Sequence, residues 1–260
     1  MITVVKIGGN VVDNEQALRA FCHDFAKLDG PKVLIHGGGV MASRMLGELG
    51  IESRMVEGRR VTDAESLRVV TMVYAGWCNK HITALLQSEG CNAIGMSGCD
   101  GNVIKASRRA PRTLSDGQTK LDYGFVGDVK KESVNAPLLE LLCSRGLVPV
   151  LCAINHDGSG QLLNTNADTV ASAVSSALSA KLYYCFEKNG VLYDRFDPDS
   201  VIGRITPPDF AALVSEGKVA DGMIPKIENA FKALQNGASE VIIKNSEALL
   251  GEGGTHISLQ

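Results

Sequence analysis

The sequence has no long apolar run, few aromatic residues and no excess of positive charge. Aromatic residues make up 5% of its 260 residues, and its 26 lysines and arginines are outnumbered by 29 aspartates and glutamates. The formal net charge of −3 disfavours nucleic-acid binding driven by phosphate neutralisation, and no stretch approaches the ~18 apolar residues of a membrane span. We therefore expect a cytoplasmic protein with no nucleic-acid or membrane partner, in which local cations meet any anionic ligand.

The sequence also lacks the spacings of a metal site or a disulfide framework. Its 7 cysteines include no Cys-x-x-Cys pair, and its 5 histidines form no cluster. An odd number of cysteines in mostly apolar surroundings is typical of reduced core thiols. We predict that no metal is bound by protein side chains.

Short β-type runs alternate with longer helical patterns along the whole chain, which predicts an α/β fold with helices covering a mostly parallel sheet. A long helix is predicted over residues 64–89, and its surplus of apolar residues fits either a subunit contact or burial in a large core. Residues 101–128 are interpreted as hairpins and loop at the sheet edge. We place a boundary between two lobes near residue 165, where the alternation starts again, and expect one continuous sheet.

Lys6 lies inside an apolar strand, directly before Gly8 and Gly9. A buried ammonium needs an opposite charge or full hydrogen bonding. A ligand anion at the carboxyl end of the strand is one such partner. An exposed strand edge or a protein carboxylate is the alternative, and Lys6 alone leaves both open.

Three consecutive glycines, Gly37, Gly38 and Gly39, follow His36 between a predicted strand and a predicted helix. Glycine amides can approach oxygen atoms closely, and the helix adds its positive end. The run is neither the spaced dinucleotide fingerprint nor the Gly-Lys-Ser/Thr phosphate loop. We interpret His36 as a packing or hydrogen-bonding residue.

Lys226 follows Pro225 in a segment that predicts a loop leading into a helix with proline at its first position. A lysine in the first turn opposes the helix dipole, which prefers an anion there. A lysine at this position is favourable if its ammonium and the N-terminus of the helix both bind the same anionic ligand, such as phosphate. A solvated side chain is the alternative.

Asp168 precedes a predicted helix, so it is either an N-cap or a carboxylate that orients the two lysines. Asn164, four residues earlier, carries an amide that can donate to an acceptor oxygen. Arg59 and Arg60 offer guanidinium forks for a carboxylate. We expect one of these two adjacent arginines to have no role in binding.

Together these positions resemble the N-acetylglutamate kinase family of the amino-acid-kinase group. The motifs are Lys6-x-Gly-Gly, His36-Gly-Gly-Gly, Arg60-Val-Thr-Asp, Asn164-x-Asn-Ala-Asp168 and Gly222-Met-x-Pro-Lys226. The resemblance implies a three-layer α/β/α sandwich. In it, residues 1–165 form an acylglutamate-binding and dimerisation lobe, and residues 166–260 form an ATP-binding lobe.

The resemblance further implies transfer of a phosphoryl group from ATP to the γ-carboxylate of N-acetyl-L-glutamate, in arginine biosynthesis. Mg²⁺ would be held mainly through the nucleotide phosphates, and the chain would form a homodimer. The implied catalytic residues are Lys6, Lys226 and Asp168. The implied substrate-binding residues are Gly38, Gly39, Arg60 and Asn164, and the implied ATP-binding residues are Gly8, Gly9, Gly37, Glu187, Gly190 and Lys218.

The sequence departs from the family pattern at several positions. Val40 and Cys99 leave the acyl group open between acetyl and a larger acid such as succinyl, and Phe186 and Glu187 depart on the nucleotide side. The first strand lies almost at the start of the sequence, which predicts insensitivity to arginine. A kinase for another acceptor (aspartate, glutamate, carbamate or UMP) and a non-catalytic sensor of acylated amino acids or nucleotides remain alternatives.

Overall fold

The computed structural model describes residues 1–56, 59–113, 120–219 and 222–260. The helices are α1 (Gly9–Asp13), α2 (Glu15–Lys27), α3 (Gly39–Glu48), α4 (Ala64–Thr71), α5 (Asn79–Ser88), α6 (Ala136–Ser144), α7 (Ala167–Ala177), α8 (Pro207–Ser215) and α9 (Met223–Gln235). The strands are β1 (Thr3–Ile7), β2 (Lys32–His36), β3 (Met55–Val56), β4 (Arg59–Arg60), β5 (Ala93–Met96), β6 (Ser107–Arg108), β7 (Arg112–Thr113), β8 (Lys120–Leu121), β9 (Val126–Asp128), β10 (Val148–Cys152), β11 (Ile154–His156), β12 (Leu162–Thr165), β13 (Lys181–Phe186), β14 (Arg204–Ile205), β15 (Glu240–Asn245) and β16 (Thr255–Ile257).

Eight of these strands form one sheet in the order β14–β16–β15–β13–β1–β2–β10–β5. Neighbouring strands run parallel except at the β15–β16 pair. Strands that precede residue 165 occupy one half of the sheet and later strands occupy the other. The two halves meet where β1 pairs with β13.

The core lies on both faces of this sheet because successive side chains of a strand point to opposite sides. On β1, Val4 packs into the cluster that also contains residues of α6, α7, α8 and α9, whereas Val5 and Ile7 pack into the cluster formed with α2, α3, α4 and α5. Helices therefore cover both faces. The predicted three-layer α/β/α sandwich is confirmed.

The prediction that residues 101–128 form an edge of the main sheet is wrong. β6 and β9 instead belong to a second sheet with the order β11–β12–β9–β6. The chain leaves the main sheet after Cys152, and β11 and β12 pair antiparallel. This second sheet holds Asn164 and Thr165 beside β9. Residues 114–119 of the predicted hairpins lie outside the described residues.

The long helix predicted over residues 64–89 runs from Ala64 to Ser88, with a π-helical segment, Met72–Cys78, between α4 and α5. Segments of this kind often occur near functional sites because they change which side chains face the core. Here Val73, Tyr74 and Cys78 are buried, while Met72 and Trp77 are 55% and 61% exposed. Within the described residues, no helix is long and apolar enough to cross a membrane.

Candidate active site

A cavity of about 480 Å³ lies at the carboxyl ends of β1 and β2. Turns that contain Gly8, Gly9 and Gly37–39 leave the two strands there, and the first turns of α7 and α9 face them. In open α/β sheets, ligands commonly bind in the crevice outside the carboxyl ends of the strands. Position alone makes this cavity the candidate site.

Lys6 and Asp168 form an ion pair at the bottom of the cavity, with 2.6 Å between Lys6 Nζ and Asp168 Oδ1. The two side chains are only 8% and 15% exposed. Burial opposes ionisation of Asp168, but the ammoniums of Lys6 and Lys226 more than offset this and lower the pKa of the carboxyl group. Asp168 is therefore a carboxylate between two lysines.

The N-cap of α7 is Asn166, whose side chain accepts hydrogen bonds from the backbone N–H groups of Asp168 and Thr169. Of the two interpretations of Asp168 in the sequence, the capping one is wrong. An asparagine two residues earlier satisfies the orphan amides of the helix. This cap leaves the Asp168 carboxylate available to Lys6.

Lys226 is the fourth residue of α9, which begins at Met223 and not, as predicted, at Pro225. Its Nζ lies 5.6 Å from the centroid of the Phe186 ring. Burial lowers the pKa of Lys226, and the field of Asp168 opposes that shift. Lys226 forms no hydrogen bond or ion pair with any residue that the structure describes, so its ammonium is available to a ligand.

His36 fixes the orientation of the glycine turn. Its Nε2 accepts a hydrogen bond at 3.0 Å from the side-chain nitrogen Nδ2 of Asn79. The ring proton is therefore on Nδ1, which donates to the Gly37 carbonyl at 2.7 Å. Burial lowers the pKa of His36 to about 4, which keeps the ring neutral at pH 7. Because the N–H of a trans peptide points opposite to its C=O, the N–H of Gly38 points away from His36. His36 is thus the hydrogen-bonding residue that the sequence predicted.

Gly38 is required by close packing of the π-helical segment. A Cβ at this position would lie 2.8 Å from Tyr74 Cδ1 and 3.1 Å from Cys78 Sγ. Both contacts are shorter than ordinary van der Waals distances. The turn can therefore approach the helix only with glycine here.

Arg60 is 5% exposed and belongs to the cavity wall. Its guanidinium donates to Ser43 Oγ at 2.8 Å and to the Gly39 carbonyl at 3.1 Å, and it also donates to Ser53 Oγ. These acceptors are neutral, so the positive charge of Arg60 has no counter-ion among them. The hydrogen bonds fix the orientation of the guanidinium without neutralising its charge.

Asn164 lies across the cavity on β12, and its Nδ2 donates to Thr62 Oγ1 at 3.0 Å. Thr62 Oγ1 in turn donates to the Arg60 carbonyl at 2.9 Å. This chain of hydrogen bonds connects the second sheet to β4. One N–H of the Asn164 amide is left for a ligand.

Most of the site residues inferred from the sequence line this one cavity. They are Lys6, Gly8, Gly9, Gly37, Gly38, Gly39, Arg60, Asn164, Asp168, Glu187 and Lys226. Gly190 and Lys218 do not line it. Gly190 packs against Thr255 and Val201, and Lys218 Nζ lies 4.4 Å from the centroid of the Tyr193 ring. The two ATP-binding assignments at these positions stay predictions.

Sequence reasoning missed several residues of the cavity wall: Asn10, Ser43, Tyr74 and Thr165. Asn10 Nδ2 donates to Glu187 Oε1 at 3.1 Å and so connects the turn after β1 to the end of β13. Its place after Gly8-Gly9 was a usable signal. No signal in the sequence pointed to Tyr74, because only the π-helical segment brings its side chain to the glycine turn.

Residues 1–245 match the profile of the amino acid kinase family, and the chain belongs to that family. Within it, the chain is similar to curated acetylglutamate kinases. The one from Bacteroides fragilis is 49% identical over 260 residues, covering 98% of this chain and 96% of the relative. The one from Cytophaga hutchinsonii is 51% identical and covers 95% and 92%. The one from Methanopyrus kandleri is 42% identical and covers 97% and 98%.

Solved structures agree on the fold. The smu.665 protein of Streptococcus mutans UA159 is 27% identical with a TM-score of 0.78, and the match covers 100% of this chain and 99% of that one. N-acetylglutamate synthase from Neisseria gonorrhoeae, complexed with coenzyme A and N-acetylglutamate, has a TM-score of 0.81 at 23% identity and covers 100% and 59%. At that identity the second match supports the fold alone.

Proposed function

We propose that this protein transfers the γ-phosphoryl group of ATP to the γ-carboxylate of an N-acyl-L-glutamate, with N-acetyl-L-glutamate as the reference acceptor, in arginine biosynthesis. The observation that carries the proposal is the Lys6–Asp168–Lys226 cluster at the bottom of the cavity. Similarity to acetylglutamate kinases over nearly the whole chain supports the choice of acceptor.

The reaction brings two anions together, and charge neutralisation is therefore the main demand on the site. An oxygen of the acceptor carboxylate attacks the γ-phosphorus, a new O–P bond forms, and the bond to the β-phosphate oxygen breaks to release ADP. Lys6 and Lys226 would stabilise the charge on the transferring group. No covalent intermediate with a protein side chain is needed.

Asp168 would keep the two lysines close together in spite of their repulsion. Its ion pair holds Lys6 in one place, whereas Lys226 has no ion-pair partner in the described part of the chain and can follow the phosphoryl group. The difference suits an in-line transfer, because one ammonium is fixed while the other adjusts.

Gly8, Gly9 and Gly37 would offer backbone amides to phosphate oxygens, with Asn10 holding the first turn in place. The acceptor would contact Gly38, Gly39, Asn164 and Arg60, whose guanidinium is already oriented by neutral partners and is suited to the α-carboxylate. Glu187, which lines the same cavity, would face the nucleotide. Gly190 and Lys218 would belong to a more distant part of the ATP site.

Mg²⁺ fits this site if the nucleotide phosphates supply its ligands. The described residues contain no group of three or more His, Cys, Asp or Glu side chains placed to hold a metal ion. The ion would add positive charge next to the phosphates, and the lysines would do the same from the protein side.

The two lobes, residues 1–165 and 166–260, would hold the acceptor and the nucleotide respectively. The protein would act in the cytoplasm as a homodimer, for which the exposed Met72 and Trp77 on the long helix offer apolar surface on the acceptor lobe. Light scattering on the purified protein tests the dimer. A monomer at micromolar concentration would contradict it.

The function is tested by ADP release with a panel of acceptors: N-acetyl-L-glutamate, L-glutamate, L-aspartate, carbamate and UMP. Turnover with the acylated amino acid, and formation of a hydroxamate when hydroxylamine traps the acyl phosphate, are expected. Turnover only with another acceptor would identify a different kinase of the same fold. Binding without turnover would identify a sensor.

Two variants connect this test to the site. Lys6→Met and Lys226→Met should each lower kcat by a factor of at least about 100, because each removes one charge from the transition state. Lys27→Met replaces an exposed lysine on α2 and is the matched control. Unchanged kcat in both site variants would refute the proposed roles.

A further inference from the structure

Arg59 lines the cavity beside Arg60, but the two guanidiniums have different surroundings. Arg60 donates to Ser43, Ser53 and the Gly39 carbonyl. Arg59 is half-buried and forms no hydrogen bond or ion pair with any residue in the described ranges. Both arginines line the cavity, so the expectation that one of them has no role in binding stays a prediction.

Among the residues that the structure describes, the charges that act on Arg59 do not neutralise it. Burial lowers its pKa, the guanidinium of Arg109 lowers it further, and Asp128 only partly opposes these effects. Asp128 already accepts from Arg109 at 2.5 Å. A guanidinium removed from water without a counter-ion is costly, which favours a ligand anion at this position.

Arg59 lines the cavity and, on β4, directly precedes Arg60, the residue proposed above to bind the acceptor. The charged or titratable groups that influence its pKa are, in decreasing order, Arg109, Asp128, Tyr123 and Asp168. Lys226, in contrast, is influenced by Asp168, Lys6 and Glu187. Asp168 thus acts on both cations, whereas Asp128 is a named influence on Arg59 only and Glu187 on Lys226 only.

The proposed reaction leaves Arg59 without an anion if the acyl group is acetyl. The γ-carboxylate of the acceptor meets the lysines, and its α-carboxylate meets Arg60 and Asn164. An acetyl group carries no charge. The guanidinium of Arg59 is then left in the cavity without a ligand anion.

We propose that Arg59 binds a carboxylate at the far end of the acyl group, so that the preferred acceptor is glutamate acylated by a dicarboxylic acid, with succinyl as the test case. The proposal rests on the function proposed above and selects one of its acceptors. A planar guanidinium binds a carboxylate through two parallel hydrogen bonds, which suits this role. Met55, paired with Arg60 across the β3–β4 hairpin, and Val126 add apolar cavity wall for the methylene groups.

The test compares kcat/KM for N-succinyl-L-glutamate and N-acetyl-L-glutamate in one ADP-release assay. The unsubstituted protein should prefer the succinyl compound. Arg59→Leu should lower kcat/KM for that compound by at least about 10-fold, since losing even one of the two charge-assisted hydrogen bonds costs about that much, with less than about a threefold change for the acetyl compound. Arg59→Lys should lie between the two, because lysine keeps the charge and loses the fork.

Arg54→Leu is the matched control, since Arg54 is an exposed arginine just before β3 and does not line the cavity. It should leave both acceptors unaffected. A preference of the unsubstituted protein for the acetyl compound would overturn the proposal even if no Arg59 variant folds. Equal losses for both acceptors in Arg59→Leu would overturn it as well, because Arg59 would then bind a group that they share.

Failure of the proposed function gives a different result, namely no turnover with either acceptor. The proposal about Arg59 is then decided by calorimetric titration with N-succinyl-L-glutamate. Binding that Arg59→Leu weakens at least tenfold would support it. Equal dissociation constants for the two proteins would overturn it.

Discussion

Asp168→Asn removes the carboxylate between the two lysines while preserving side-chain volume. At the observed 2.6 Å, Coulomb's law with an effective dielectric constant of about 20 gives roughly 6 kcal/mol of attraction to Lys6 before the cost of desolvation. Breaking a buried pair by removing one partner typically costs about 3–5 kcal/mol. In a chain of this length, each kcal/mol lowers Tm by about 2–4 °C.

The same substitution should change the pH dependence of activity. The pKa of Lys226 is lowered by burial, and the negative charge of Asp168 limits that decrease. Without the carboxylate, the pKa of Lys226 falls further, and the ammonium loses its proton at a lower pH. Activity that needs a protonated Lys226 is lost as pH rises through that pKa, so the alkaline limb of the kcat profile should move to lower pH.

We expect Asp168→Asn to lower kcat at pH 7 by about 100- to 1000-fold, in the range for loss of a transition-state electrostatic contact. The measurement is kcat from pH 6 to 10 by ADP release, with circular dichroism to verify folding. Asp29→Asn, an exposed aspartate outside the cavity, is the control. A folded Asp168→Asn protein with an unmoved alkaline limb would refute the electrostatic coupling between Asp168 and Lys226.

Three further predictions concern the elements that support the site. Asn166→Ala should lower the free energy of unfolding by about 1 kcal/mol in urea titration through loss of the α7 cap, and an unchanged midpoint would contradict the capping. Gly38→Ala should reduce activity at least tenfold, because the added Cβ would lie 2.8 Å from Tyr74 Cδ1. Gly47→Ala on α3, where an added Cβ meets no atom within 4 Å, is the control and should leave activity unchanged. Equal effects of the two substitutions would contradict the packing. As pH falls from about 6.5 to 4, the unfolded state protonates His36 before the folded state does, so stability should fall by on the order of 3 kcal/mol, and His36→Gln should abolish this part of the pH dependence.

Local patterns in the sequence predicted an α/β fold with helices covering a mostly parallel sheet, whereas the three-layer sandwich was implied by the family resemblance. The same patterns placed several residues of the cavity wall. Apolar strands buried on two faces indicate a parallel sheet, and a lysine or glycine where such a strand ends must lie at its carboxyl edge. Lys6 and Gly38 could be placed in this way.

Other features depend on contacts that no local pattern specifies. Asn166 and Asp168 are both good capping residues two positions apart, and only the structure distinguishes the cap from the partner of Lys6. The second sheet consists of strands of two to four residues, which are too short for an alternating pattern to be distinctive. The position of Gly190 and Lys218 outside the cavity depends on tertiary packing alone.

The two lysines are anchored on elements of different stability. Lys6 lies on β1 in the interior of the main sheet, flanked by β13 and β2. Lys226 lies in the first turn of α9, which begins at Met223 and whose N-cap residue, Gly222, provides no side-chain cap. Fraying of that single turn would displace the Lys226 ammonium from the cavity and leave the sheet intact. Mild urea should therefore abolish catalysis before the secondary structure unfolds.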